Sequence, residues 1–321
     1  MPASRRPAVS TGALAVWCSR WLGAPPTAQL FEAGYLSTVQ GLRLADGREV
    51  VVKVRPRMSR LAGCAAVHRA LWMAGFPCPE PLVDPQPLDG YAATAETLVL
   101  DAGEPPDSEL AALSAAALAR LVELAPDPGS VPSLAPSPSY AGWDHAGPGL
   151  WPAPEDRDAD LNAYPEPQWL ARVAAAVRDH LRGHRGDPMI GHGDWHPENL
   201  RWQGPNLIAV HDWDSVICQP EPAIAGLAAA SFLGIDDLAR MASVEDSAAF
   251  LDAYQHARGR RWTPQDYAAS WAAGLWQRAF DAKTRSLDGD PEQILTRHEA
   301  QARLRLAGLN PDLAAPDERT P

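Results

Sequence analysis

The chain has 321 residues, 46% hydrophobic and 21% charged, enough to bury the core of one large domain or two lobes. No apolar run reaches the length of a membrane span, and a formal net charge of -12 argues against a general nucleic-acid binder, whose surface would be basic. Four cysteines, Cys18, Cys64, Cys78 and Cys218, are scattered without a C-x-x-C pair and read as thiols of a reducing, cytoplasmic setting.

Residues 1–27 read as a helix and a linker ending at Pro25-Pro26. Basic residues precede a short apolar stretch, as in an export signal. That stretch is broken by Cys18, Ser19 and Arg20, and Trp17 and Trp21 stand one helical repeat apart, so a first helix is the better reading. Residues 29–32, 38–44 and 49–54 predict strands, the last two joined by the hairpin signal Ala45-Asp46-Gly47-Arg48. A short loop, Ala33-Gly34-Tyr35-Leu36-Ser37, separates the first two. The third strand places one lysine, Lys53, among valines; alone, such a lysine is readily explained as solvent-facing.

A helix over 61–74 follows, ended by Gly75-Phe76-Pro77-Cys78-Pro79. Residues 92–101 read as a strand, a kink and the start of a linker, and Gly103-Glu104-Pro105-Pro106 closes the first lobe. An amphipathic helix is expected over 108–125. Residues 126–167 are rich in Pro, Gly and Ser, yet Tyr140, Trp143, Trp151 and Tyr164 give them aromatic anchors; such a stretch is more often a functional insertion than simple disorder. Further helices are expected over 169–181, 221–233, 247–255, 264–287 and 291–306, with a frayed tail over 310–321.

The chemistry concentrates in residues 189–216. Met189-Ile190 leads into His192-Gly193-Asp194, then Trp195-His196-Pro197-Glu198-Asn199; Leu207-Ile208-Ala209-Val210 leads into His211-Asp212-Trp213-Asp214. Asp194 and Asn199 have the H-x-D-x-x-x-x-N spacing of a phosphoryl-transfer loop, and Asp212 follows a strand as a second metal-binding carboxylate would. Moving a γ-phosphoryl group is mostly positioning and charge neutralisation. Mg²⁺ keeps several waters, so one carboxylate and one amide can hold it while a second carboxylate orients the nucleophile. A transition-metal site built on His192, Asp194 and His196 would leave Asn199 and the second acidic block unexplained.

The two blocks together resemble the aminoglycoside phosphotransferase family, small-molecule kinases with a protein-kinase-like fold. The resemblance spans about residues 28–306. It implies an α+β, bilobal protein-kinase-like architecture: a β-sheet nucleotide lobe over 28–103 and a mainly helical lobe over 104–309. By the same resemblance Asp194 is the catalytic base, Asn199 and Asp212 are Mg²⁺ ligands, and His192, His196 and Asp214 support the loop. Lys53 would hold the nucleotide phosphates under the loop ending at Ser37, and Glu96 and Leu98 bracket the backbone that meets the base. The cofactors implied are ATP or GTP with Mg²⁺. The partner implied is a small-molecule acceptor such as an aminoglycoside or amino sugar, with no nucleic acid or membrane partner, in a monomer or dimer.

One feature departs from the pattern. The family's helix after the lysine strand carries a glutamate that pairs with the lysine, and here Cys64 stands at that position. Either another acid pairs with Lys53 or the chain binds a nucleotide without transferring phosphate. The helix over 264–287 lines the acceptor site in related sequences, which makes Trp276, Asp281 and Lys283 candidates, although an aromatic stripe is more often core. Residues 126–167 are expected beside the acceptor.

Overall fold

The run of valines in the third predicted strand alternates between two faces, and that alternation organises the N-terminal half. The computed structural model describes residues 6–99, 103, 105, 109–235 and 241–316. Five strands, β1 (Pro26–Ala33), β2 (Thr38–Leu44), β3 (Glu49–Arg55), β4 (Pro81–Leu88) and β5 (Tyr91–Thr97), form one antiparallel sheet in the order β1-β2-β3-β5-β4. Because side chains alternate along a strand, Val50, Val52 and Val54 enter one core. There they meet Leu14, Trp17 and Cys18 of helix α1 (Thr11–Trp21), whose N-terminus is capped by the Ser10 hydroxyl. The opposite face of β3 carries Val51, Lys53 and Arg55.

Strand β1 starts at Pro26, inside the expected linker. A proline at the first residue of an edge strand costs no ladder bond, so the sheet extends further than the Pro25-Pro26 pair suggests. Helix α2 (Leu61–Met73) follows β3, but Cys64, Val67 and Leu71 are buried in the core of the C-terminal half and not in that of the sheet. Gly63 lets it approach: a Cβ there would lie 2.5 Å from the Pro132 carbonyl oxygen. The predicted lobe boundary at 103/104 lies largely outside the described residues.

The C-terminal half is built on helices α3 (Leu110–Leu124), α4 (Gln168–Gly183), α5 (Glu221–Ser231), α6 (Val244–Ala257), α7 (Pro264–Arg285) and α8 (Arg297–Leu306). Helices α6 and α7 begin with capping boxes, Ser243 with Asp246 and Thr263 with Asp266. Helices α5 and α7 cross where Gly226 meets Ser270. Two ladders carry the loops of interest: β6 (Pro188–His192) with β9 (Val216–Pro220), and β7 (Leu200–Gln203) with β8 (Asn206–Val210). Among the described residues no helix is long and apolar enough to cross a membrane.

Two expectations change here. The tail predicted to fray from 310 is docked through 315: Asn310 caps a short 3-10 turn, Ala314 is buried, and Arg172 of α4 donates to the carbonyls of Leu313 at 3.1 Å and Ala315 at 2.9 Å. Residues 317–321 lie outside the described part. Trp276 and Lys283 of α7 are core rather than pocket lining. Trp276 is fully buried against Trp151, and Lys283 donates to the Tyr164 carbonyl at 2.7 Å and pairs with Glu166 at 3.2 Å. Both therefore fasten the 126–167 segment, whose Trp143, Trp151 and Leu161 are buried. Asp281 is half-buried on the same helix.

Candidate active site

The two acidic blocks meet because the end of β6 pairs with the start of β9, His192 opposite Val216, so that one block follows β6 and the other precedes β9. After β6, the Gly193 N–H donates to the Ser215 carbonyl at 2.8 Å. Farther along the loop, the His211 N–H donates to the Asn199 carbonyl at 2.8 Å. Asp212 takes a left-handed conformation, φ 63°, which turns the chain into the short helix Trp213–Ser215; aspartate tolerates this region better than most residues.

His192 ties the blocks together. Its Nδ1 accepts from the Asp194 N–H at 3.3 Å, and its Nε2 lies 3.0 and 3.1 Å from the carbonyls of His211 and Asp212. Both ring nitrogens are thus spent on backbone groups, and complete burial pushes the imidazole down towards its neutral form. A neutral ring that accepts at Nδ1 and donates at Nε2 fits all three contacts. The same geometry removes His192 as a metal ligand.

Asp194 sits in a polar clamp. The Asn199 amide nitrogen donates to the Asp194 carbonyl at 2.9 Å and to its carboxylate at 3.0 Å, and His196 Nε2 lies 3.2 Å from the other carboxylate oxygen. Burial alone would raise the Asp194 pKa; the hydrogen bond and charge of His196 outweigh it and hold the carboxyl below its usual value. In turn burial would lower His196, but its bond to Asp194 raises it. Asp194 is accordingly an ionised acceptor at neutral pH. With its nitrogen on Asp194, the Asn199 amide has its oxygen for another ligand.

Asp212 and Asp214 form the second centre. Their mutual repulsion, with desolvation first, pushes Asp212 up, although 37% of its side chain remains open to solvent. Asp214 goes the other way, because Arg55 outweighs its burial. Arg55 forms an ion pair with Asp214, and its second amino group is 3.9 Å from Asp212. Two carboxylates with one guanidinium between them make a site that gains from a further cation. The oxygen donors of Asp212 and Asn199 suit a hard divalent ion.

Above these loops Lys53 Nζ lies 3.1 Å from Glu96 Oε1, both side chains less than 10% exposed. Glu96, expected to bracket the base-binding backbone, directs its side chain into the interior. Its neighbours Thr97 and Leu98 donate their N–H groups to the carbonyls of Glu80 at 3.0 Å and Glu49 at 3.2 Å. Ser37 is half-buried in the β1–β2 turn, where Gly34 adopts φ 100°. Tyr140, from the proline-rich segment, packs its ring against Gly193, and its hydroxyl is buried.

Sequence reasoning does not find Arg55, and it finds Tyr140 only as an aromatic anchor of the 126–167 segment. Arg55 had a signal: two residues beyond Lys53 on one strand, it must share its face. Tyr140 had none beyond its aromatic character, since its place depends on the path of an irregular segment.

The family model described as "Phosphotransferase enzyme family" matches residues 27–269. No curated protein matches the sequence. Among solved structures, the chain is similar to an amicoumacin kinase in complex with AMP-PNP and Ca²⁺ (TM-score 0.58, 11% identity, covering 91% of this chain and 90% of that one). It is also similar to a spectinomycin phosphotransferase in complex with ADP and spectinomycin (TM-score 0.57, 11% identity, 94% and 96%). A third is a putative aminoglycoside phosphotransferase from Ralstonia eutropha (TM-score 0.55, 17% identity, 96% and 98%). The bilobal, protein-kinase-like α+β architecture expected from the sequence is the fold of this chain.

Proposed function

Because the chain belongs to the phosphotransferase enzyme family, we propose that it moves the γ-phosphoryl group of ATP or GTP onto a hydroxyl of a small molecule such as an aminoglycoside, an amino sugar or a related metabolite. The observation that carries this reading is the clamp on Asp194. An ionised carboxylate is held by Asn199 and His196 next to a second acidic centre, beneath a strand that presents Lys53.

Asp194 accepts the hydrogen bond of the acceptor hydroxyl, fixes its direction and takes its proton as the new O–P bond forms. Asn199 and Asp212 would hold Mg²⁺, which when bound supplies the charge neutralisation that phosphate oxygens require. Lys53 neutralises phosphate oxygens from above. The backbone around Glu96 and Leu98 edges the base, and the turn ending at Ser37 covers the phosphates. His192, His196 and Asp214 hold these groups in place. Tyr140 brings the 126–167 segment against the catalytic loop, which supports the reading that this segment borders the acceptor.

The alternative of a fold that binds nucleotide without transfer drew its force from Cys64. The Lys53–Glu96 ion pair weakens that motive, because the lysine has a carboxylate partner after all.

The test is ADP release with Mg-ATP, and in parallel GDP release with Mg-GTP, across aminoglycosides, amino sugars, nucleosides and small amino alcohols. We expect one acceptor class to stimulate turnover in the parent protein and not in Asp194→Ala. Failure of the parent protein to bind either nucleotide with Mg²⁺ would overturn the reading.

A further inference from the structure

We propose that Glu96, on the sheet strand β5, is the positioning residue that aims Lys53 at the nucleotide phosphates, in place of a carboxylate on helix α2. This deepens the phosphotransferase reading above and rests on it.

Helix α2, LAGCAAVHRALWM, contains no carboxylate. Cys64 occupies the position facing the lysine, and it lines the same small cavity, about 40 Å³, as Lys53 and Glu96. The cysteine sulfur is 3.8 Å from the Asp214 carbonyl and 3% of the residue is exposed. Glu96, which lines that cavity too, fills the vacant role 3.1 Å from Lys53 Nζ.

The exchange follows from where α2 is anchored. Its apolar face belongs to the core of the C-terminal half, Gly63 abuts the carbonyls of Pro132 and Ser133, and Arg60 donates to the carbonyls of Pro136, at 3.1 Å, and Val216. A carboxylate on this helix would make the aim of Lys53 depend on how the two halves sit. A carboxylate on β5 does not. Strands β3 and β5 are hydrogen-bonded neighbours, with Val51 opposite Glu96 and Lys53 opposite Thr94, so the pair is a diagonal contact inside one ladder.

Glu96 is in turn held from below. His211 Nδ1, one residue before Asp212, is 3.5 Å from the same carboxylate oxygen. Burial opposes its ionisation, but the ammonium of Lys53 beside it outweighs that and favours the ionised carboxyl. Without this partner the buried ammonium would keep only the more distant charges of Asp212 and Asp214 and lose its fixed direction.

The experiment measures Mg-ATP and adenosine binding by calorimetry on the full chain. The proteins are the parent, Glu96→Ala, Glu96→Gln and the double variant Cys64→Glu/Glu96→Ala. The single variants should bind Mg-ATP about tenfold or more weakly, while adenosine affinity is unchanged. The double variant should recover most of the loss, because position 64 faces the same cavity. The isosteric Glu96→Gln keeps the test meaningful if the alanine variant folds poorly. Single variants that bind Mg-ATP like the parent, or lose Mg-ATP and adenosine together without rescue, would overturn the assignment. A parent protein that binds Mg-GTP and not Mg-ATP is tested in the same way with Mg-GTP and guanosine; one that binds neither nucleotide would overturn the phosphotransferase reading and the assignment with it.

Discussion

Lys53 and Arg55 share one face of β3 yet serve different acids, Lys53 meeting Glu96 within the sheet and Arg55 reaching across to Asp214. Arg55 is 6% exposed, so removing its charge strands Asp214 beside Asp212. Arg55→Ala should lower unfolding stability by about 3 kcal/mol, read by chemical denaturation. Arg55→Lys should recover only part, since one ammonium cannot span two carboxylates as a guanidinium does.

A second residue of this scale is His68 on α2, stacked on Trp213 at 4.8 Å with Nε2 2.8 Å from the Pro79 carbonyl. Burial, the dominant cause, pushes its pKa down from 6.5 to about 4. Between those values the unfolded chain binds a proton that the folded chain refuses. The stabilisation is therefore fully present above about pH 6.5 and is lost as pH falls towards 4, by at most about 3 kcal/mol. His68→Gln should flatten the stability profile between pH 4 and 6.5; an unchanged slope would count against a neutral, buried His68.

Among the elements, α5 is the most constrained. A Cβ on Gly226 would lie 1.9 Å from the Ser270 carbonyl oxygen of α7, so the two helices would have to separate. Gly226→Ala should cost about 2–3 kcal/mol, visible as a lower melting temperature. The N-terminus of α5 carries Glu221, 3% exposed, which accepts from Tyr254 at 2.9 Å and Arg258 at 2.8 Å and pairs with Arg260. Glu221→Ala leaves these donors without their partner and should cost about 3 kcal/mol, with nucleotide affinity unchanged. The buried acid at 221 is thus a staple between α5 and α6.

The helices and the central strands were legible because their signals are local: the valine-rich run of β3, a hairpin turn before it, and apolar periodicity in α2 and α3. The pairing of Asp194 with Asn199 was legible from spacing alone. The partner of Lys53 was not. Glu96 sits 43 positions along the chain, and only the β3–β5 register puts it within reach. The role of Arg55, the place of Tyr140 against Gly193 and the docking of residues 310–315 were hidden for a like reason: each depends on a contact between segments that local pattern does not encode.

At the scale of the molecule, two hydrophobic cores divide the work. One lies between α1 and the sheet, the other gathers the C-terminal helices together with α2. The groups of the proposed site lie between them: Lys53 and Arg55 descend from the sheet, while Asp194, Asn199 and Asp212 rise from the loops of the helical half. A nucleotide that touches both should raise the melting temperature, and more with Mg²⁺ than without it. At 100 times its dissociation constant it would add about 2.7 kcal/mol. Chelation of the metal should remove the Mg²⁺-dependent part of that increment.

The most direct measurement follows the γ-phosphoryl group itself, with ³²P-labelled Mg-ATP, an acceptor that stimulates turnover, and the parent protein beside Asp194→Asn. The label should appear on the acceptor hydroxyl with the parent. With Asp194→Asn, transfer should fall by about a hundredfold or more at unchanged Mg-ATP affinity. Label released only to water, or transfer by Asp194→Asn at the parent rate, would contradict the account.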